Sequence, residues 1–301
     1  MKIVDLHSDE LTGGNQMKIQ CDGDERIVKA VFRGDLSFSA AFSLAEKESF
    51  VAFEDIGYPD LDEDKLFSLS PVYVGLTWNG ENCLACGCKC VNDGGLTEKG
   101  RAFVREMNRR GIAVDTAHLG EKGFREVLSL ADAVIDSHTG FYGFFPHARN
   151  LKDWQLDELF RRKCLVGFTL CGYFSTDKSS LSVCEAARHL LYFYDRYGAE
   201  TLAVGTDFYG CDFLPDGCNG YGWFSLFAEA LRKEGMTDDD VDRIFSRNAE
   251  RFLSKAGKNG AMLRKKRNRA AARKPAFRTE RTAGIEISGK MPLQKEENML
   301  K

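Results

Sequence analysis

Residues 94–118 read GGLTEKGRAFVREMNRRGIAVDTAH, and residues 133–138 read AVIDSH. Thr97 stands before a helical pattern and Gly111 closes it, the expected chemistry of a helix start and stop. An apolar run, Ile112–His118, follows at once. A second, Ala133–His138, comes one helix-length later. Near-continuous Val, Ile and Ala content marks strands buried on both faces, as in a parallel sheet. Both runs end in a histidine.

The same pattern extends in both directions. Upstream lie the runs Lys2–His7, Arg26–Phe32, Phe50–Glu54 and Val72–Trp78; downstream lie Leu165–Leu170 and Leu202–Asp207. Helical stretches intervene. One is short, from Ser37 to Lys47. Asp153 opens DWQLDELFRRK, Ser182–Tyr197 is amphipathic, and Thr237 starts a helix with acids in its first turn, where they complement the dipole. Strands alternating with helices eight times predict an α/β fold, a (β/α)8 TIM-type barrel over residues 1–254. A doubly wound open sheet competes, but nothing like a Gly-rich phosphate loop follows the first strand.

The chain's 301 residues suit one such barrel, and its 43% hydrophobic and 29% charged content is ordinary for a globular protein. A core of this size needs no disulfide or metal staple, so a metal here is expected to be catalytic. The N-terminus has no apolar targeting segment, and no run is long enough for a membrane helix, so no membrane partner and a cytoplasmic location are expected. Ten cysteines then read as reduced thiols. Residues 255–301 hold 14 Lys and Arg against 4 Asp and Glu, which leaves 28 against 41 for the first 254. That basic tail is expected to be disordered. It alone could attract nucleic acid; the acidic body has no such footprint.

The polar residues that interrupt the apolar runs carry the chemistry. His7, Glu54, His118, His138 and Asp207 each end a predicted strand, and Asp9 lies two residues past the first. In a barrel those ends converge on the face where the loops build the active site. His7 and Asp9 alternate on an extended chain and so face one side. Imidazole with carboxylate suits zinc and its neighbours. Glu54 closes an apolar strand, where an unpaired carboxylate is costly; bridging two cations would offset that cost. The bland alternatives are a satisfied core imidazole for each histidine, an Arg-paired Glu54, and a helix cap at Asp207.

Taken together, DLHSDE at 5–10, FED at 53–55, GLTWN at 75–79, residues 94–119, AVIDSH at 133–138, PHARNLKD at 146–153 and AVGTDFYG at 203–210 resemble the renal, or membrane, dipeptidase family of zinc peptidases. The resemblance spans about residues 1–253. It implies a metallo-dipeptidase with two divalent ions, most simply Zn2+. His7 and Asp9 would bind one, His118 and His138 the other, with Glu54 bridging and a hydroxide between the metals attacking the peptide bond. Asp207 would be the acid/base, and Arg149 would hold the dipeptide's carboxylate. Trp78 stands where mammalian members carry a histidine that contacts substrate. A homodimer is compatible with the family. The segment from Asp9 to Glu54 is short for it.

Two other readings remain open. Another amidohydrolase-type barrel could act on a small amide or lactone, although such enzymes usually carry His-x-His after strand one and a metal-bridging Lys. A non-catalytic metal- or nucleic-acid-binding protein could work through the basic tail. Cys83, Cys86, Cys88 and Cys90, which the resemblance does not explain, read as a loop of reduced thiols or as a soft-metal or redox segment.

Overall fold

The eight apolar runs form eight parallel strands. These are β1 (Val4–Ser8), β2 (Arg26–Phe32), β3 (Val51–Glu54), β4 (Tyr73–Gly75), β5 (Ala113–Asp115), β6 (Val134–Thr139), β7 (Leu165–Phe168) and β8 (Leu202–Val204). They close in sequence order into a barrel, β8 pairing back onto β1. The structure is a computed structural model that describes residues 1–13 and 18–256. Most of the basic tail lies outside the described residues. Its first two positions, 255 and 256, continue the last helical run. No helix among the described residues is long and apolar enough to cross a membrane.

Five of the helices form where caps and periodicity placed them, and α2, α4 and α7 add to them. They are α1 (Phe38–Ala45), α2 (Glu63–Ser68), α3 (Glu98–Arg110), α4 (Glu121–Leu130), α5 (Asp153–Arg161), α6 (Val183–Tyr197), α7 (Phe224–Lys233) and α8 (Asp238–Asp242). Thr97 Oγ1 accepts from Gly100 N–H at 3.0 Å to open α3, and Gly111, in the left-handed region, ends it. Ser182 and Glu185 cap α6 reciprocally. After α8 the chain passes through a π-helical turn, Arg243–Arg247, and stays helical over 248–256.

Two apolar layers divide along the strands. Phe53, Val74, Val114, Val166 and Val204 face outward onto helix residues such as Phe42, Phe103, Phe124 and Phe227. Val4, Leu6, Val28, Ala52, Tyr73, Ile135 and Ala203 fill the interior, closed below by Ala249 and Leu253 from the last helical run. The β1–β8 seam has one registered pair, Asp5 with Val204. Asp5 reinforces it by accepting from Thr206 N–H at 2.9 Å, Thr206 Oγ1 at 2.6 Å and Tyr221 Oη at 2.7 Å.

Three strands end three residues earlier than expected. β4, β5 and β8 stop at Gly75, Asp115 and Val204, three residues before Trp78, His118 and Asp207. His118 has φ 66° and Asp207 φ 62°, conformations no strand accommodates. Trp78 N–H leaves the ladder and donates to Asp55 Oδ1 at 3.2 Å. These three residues therefore belong to loops. β1 and β6 instead end one residue later than expected, and each contains a bulge, between Asp5 and Ser8 and between Asp136 and Thr139. A bulge re-aims side chains locally, and these two carry His7 and His138.

His189, on α6, is a satisfied core imidazole. Its Nε2 accepts from Phe141 N–H at 2.8 Å, its Nδ1 is 2.8 Å from Ser175 Oγ, and its ring stacks on Phe144. Burial pulls its pKa from the ordinary 6.5 to about 3. The unfolded chain therefore takes up this proton first. The residue costs nothing above about pH 6.5, and stability is lost as pH falls from there towards 3. Its share of the slope is about 1.4 kcal/mol per pH unit. In urea unfolding of metal-free protein at pH 7, 6 and 5, His189→Gln is expected to be less stable at pH 7 but flatter with pH. Parallel pH profiles for the two proteins would contradict this assignment.

Candidate metal centre

Six polar side chains meet at the C-terminal mouth of the barrel, all of them nominated by the sequence. His7 Nε2 lies 3.6 Å from Asp9 Oδ1 and 3.5 Å from Glu54 Oε2. His118 Nε2 lies 3.4 Å from Glu54 Oε1 and 3.1 Å from His138 Nε2. The His7 and His138 rings are 3.8 Å apart between centroids. His7, Glu54 and His138 offer ligand atoms within 4.8 Å of one another, and so do His7, Asp9 and Asp207. Asp207, expected as a proton carrier, thus also stands in ligand range of the first pair.

The fit to cations is testable on polar satisfaction. Buried polar atoms are almost always hydrogen-bonded. Here His7 Nε2, Asp9 Oδ1 and Glu54 Oε2 are buried with no hydrogen-bond partner, and all three belong to this one cluster. The opposite edge of each imidazole is engaged. His7 Nδ1 is 2.9 Å from Tyr73 Oη, whose hydroxyl donates to Leu6 O at 2.8 Å. His138 Nδ1 is 2.8 Å from Ser137 Oγ, which donates to Asp115 Oδ2 at 2.6 Å. His118 Nδ1 is 3.0 Å from Asn79 Oδ1. With hydrogen on each Nδ1, the three Nε2 lone pairs are left to face the centre, as metal-ligating histidines require. The donor set of imidazole and carboxylate suits zinc.

Charge tells the same story. Burial pulls the His7 pKa down, but the Asp9 carboxylate 3.6 Å away and the charges of Glu54 and Asp207 overcome it and raise it to about 10. Burial, then the charge of Asp9, pushes Asp207 up to about 7. Burial also raises Glu54 well above the carboxylate range. Burial and nearby cationic groups, Arg149 and His7 among them, hold His118 and His138 well below 6.5. Without a cation, the acids keep a proton on His7; a divalent ion would take over that role.

A cavity of about 310 Å³ opens above the cluster. Asp9, Glu54, His118, Arg149 and Asp207 line it, together with Trp78, Tyr173 and Tyr209. Arg149 is buried and donates from Nη2 to His138 O at 2.6 Å, while its Nε has no partner. No carboxylate among the described residues forms an ion pair with it, so its guanidinium is not spent on a salt bridge. Trp78 sits half-exposed at the rim, its ring 6.2 Å from that of His118. Gly210 is needed beneath the acids, since a Cβ there would stand 2.3 Å from both Asp207 Oδ1 and Asp9 Oδ2.

Sequence reading missed Tyr73, Asn79, Asp115 and Ser137. Asp115 carried the signal that exposed Glu54, an acid in an apolar strand; the others carried none. The four clustered cysteines do not gather into a thiolate site. Cys86 Sγ accepts from Gly94 N–H at 3.2 Å, and Cys88 Sγ turns to Asn79.

Fold and mouth together define the class: a parallel α/β barrel with a candidate two-cation centre. The chain belongs to the membrane dipeptidase family, peptidase family M19, whose sequence pattern matches residues 64–267. It is 31% identical over 161 residues to dipeptidase tcpJ of Claviceps purpurea (strain 20.1), covering 53% of this chain and 38% of that one. It is 30% identical over 193 residues to dipeptidase verJ of Clonostachys rogersoniana, covering 62% and 49%. The chain thus matches about half or less of the length of these relatives. Among solved structures, the metallopeptidase dipeptidase AC of family M19 superposes with a TM-score of 0.74 at 22% identity, over 85% of this chain and 98% of that one. A metallopeptidase from Rhodobacter sphaeroides, bound to a phosphinate mimic of the dipeptide L-Ala-D-Ala, gives 0.73 at 20%, over 85% and 99%. Those two likenesses establish the barrel fold.

Proposed function

We propose that the protein hydrolyses dipeptides with two zinc ions held by His7, Asp9, Glu54, His118 and His138. The observation that carries this reading is the set of buried, unpartnered ligand atoms facing one point: His7 Nε2, Asp9 Oδ1 and Glu54 Oε2. Membership of the dipeptidase family supports it, as does the dipeptide mimic bound by the Rhodobacter sphaeroides relative. Two zinc ions, when bound, would acidify a water and polarise the scissile carbonyl.

The chain's own residues do the rest. Arg149 offers a buried guanidinium to the free carboxylate of the substrate, a task for which its planar fork is suited. That anchor selects dipeptides, because in a longer peptide the next residue would occupy the carboxylate's place. Asp207, with a carboxyl raised towards neutrality in the apo site, receives the proton of the attacking water and delivers it to the leaving amine nitrogen. Trp78 and Tyr173 frame the cavity and meet the substrate's side chains.

Metal analysis of the purified chain together with a dipeptide panel tests this reading. Two zinc ions per chain and turnover of free dipeptides are expected, with poor turnover of the same dipeptides as C-terminal amides. Arg149→Lys is expected to raise KM for free dipeptides about 10- to 100-fold, the loss of one charge-assisted contact. It should narrow the gap between acid and amide substrates. Equal turnover of blocked and free dipeptides by the unaltered protein would refute the anchor.

A further inference from the structure

The Nδ1 partners of His7 and His138, Tyr73 and Ser137, stand on barrel strands. The partner of His118 stands on the loop after β4, against the cysteine-rich segment that neither sequence nor family accounts for. We propose that Asn79 and Cys88 are positioning residues for His118, and that the cysteine-rich segment serves as its clamp. This rests on the reading of His118 as a metal ligand.

The contacts converge on one residue. Asn79 Oδ1 lies 3.0 Å from His118 Nδ1 and accepts its hydrogen, which leaves the Nε2 lone pair directed at Glu54 and His138. The Cys88 thiol donates to the same Asn79 oxygen at 3.6 Å. The Cys88 backbone N–H donates to His118 O at 2.7 Å, and Thr77 Oγ1 is 3.5 Å from that carbonyl. Next to it Gly87 bridges to Leu119 in antiparallel fashion, and beyond that Gly120 N–H donates to Cys86 O at 2.9 Å. Residues 86–88 therefore run as a strap along 118–120. The strap passes so close that a Cβ at Gly87 would stand 2.1 Å from Trp78 O.

Such a strap has a physical task. His118 holds a left-handed backbone, a strained conformation that persists only where its surroundings enforce it. The Cys88 N–H fixes its carbonyl, and Asn79 fixes its ring and tautomer. A thiol suits the second contact of Asn79: it is a weak donor that steadies the amide oxygen without competing strongly for it. The cysteine at 88 acts through hydrogen bonding, not metal ligation or disulfide formation.

The test is metal affinity in the full chain. Metal-free protein is titrated with Co2+, read by its visible absorption, and with Zn2+ against a chromophoric chelator. Asn79→Leu is expected to weaken one of the two sites about 10- to 100-fold, the usual effect of losing the group that orients a metal-bound histidine. Asn79→Asp keeps the acceptor and should hold affinity within about threefold of the unaltered protein or tighten it. Cys88→Val keeps the backbone contact, removes the thiol donor, and should weaken the same site by about threefold. It also serves as the second test if Asn79→Leu does not fold. A purely structural role would lower the melting temperature of the metal-free variants and leave affinity alone. Both sites within twofold of the unaltered protein in Asn79→Leu, or in Cys88→Val should the former not fold, would overturn the proposal. An unaltered protein that takes up no metal would overturn the reading of His118 itself.

Discussion

Asp207→Asn is expected to load both metals and to lose about 10²- to 10⁴-fold in kcat, the range for removing a positioned proton carrier. The change is nearly isosteric. The backbone contact of residue 207 with His7 O survives it, as do the other five polar side chains. It deletes the group that can hold a proton near neutrality, because an amide cannot do so. It also removes one of three neighbouring acids, one that burial makes costly to ionise, so the metal-free variant should unfold at no lower a temperature than the parent. Steady-state kinetics at saturating dipeptide and metal analysis of the same preparation give both readouts. Full metal occupancy with kcat within tenfold of the parent would end the assignment of Asp207.

The second large effect is expected at Glu54, where stability and metal loading should move in opposite directions. Its carboxylate is buried between His7 and His118, and Oε2 has no hydrogen-bond partner. Burial raises its pKa, so the charged form costs free energy in the metal-free fold. Glu54→Gln removes that cost, and metal-free protein should be as stable as the parent or more so. The neutral amide no longer bridges two cations, so stoichiometry should fall below two and kcat/KM by about 10³-fold, roughly 4 kcal/mol of transition-state stabilisation. Melting curves with and without zinc separate the two effects. A ligand that binds only the native state raises its stability in proportion to log affinity, so the zinc-induced rise in Tm should shrink in the variant. An unchanged rise would show that Glu54 holds no metal.

Five of the six polar residues at the mouth were legible because each closes an apolar run, where only convergence gives it a partner; Asp9 was legible by its alternation with His7. The boundaries of those runs were less legible. His118 and Asp207 read as strand ends because AVDTAH and AVGTD continue the apolar composition. The left-handed turn at each depends on packing that composition does not encode. The bulges at His7 and His138 were likewise invisible, since an extra residue in a ladder changes register and not hydrophobicity. The partners of the imidazoles are the least legible layer. Asn79 lies 39 residues from His118 and Tyr73 lies 66 from His7, and an Asn or Tyr at such separations carries no local pattern. The cysteines left two readings open, reduced thiols or a soft-metal or redox segment, because their spacing does not show that Cys86 and Cys88 lie along residues 118–120.

The left-handed backbones at His118, Asp207 and Tyr209 sit at the rim of this mouth, with Asp55 adjoining Glu54. Glycine would relax each of them, and would delete the side chain on which His118 and Asp207 depend for their proposed roles. Selection for thermostability and selection for turnover therefore pull these positions apart. A laboratory lineage evolved for heat resistance alone would be drawn to abandon the mouth first, while the closed ladder beneath it stayed intact.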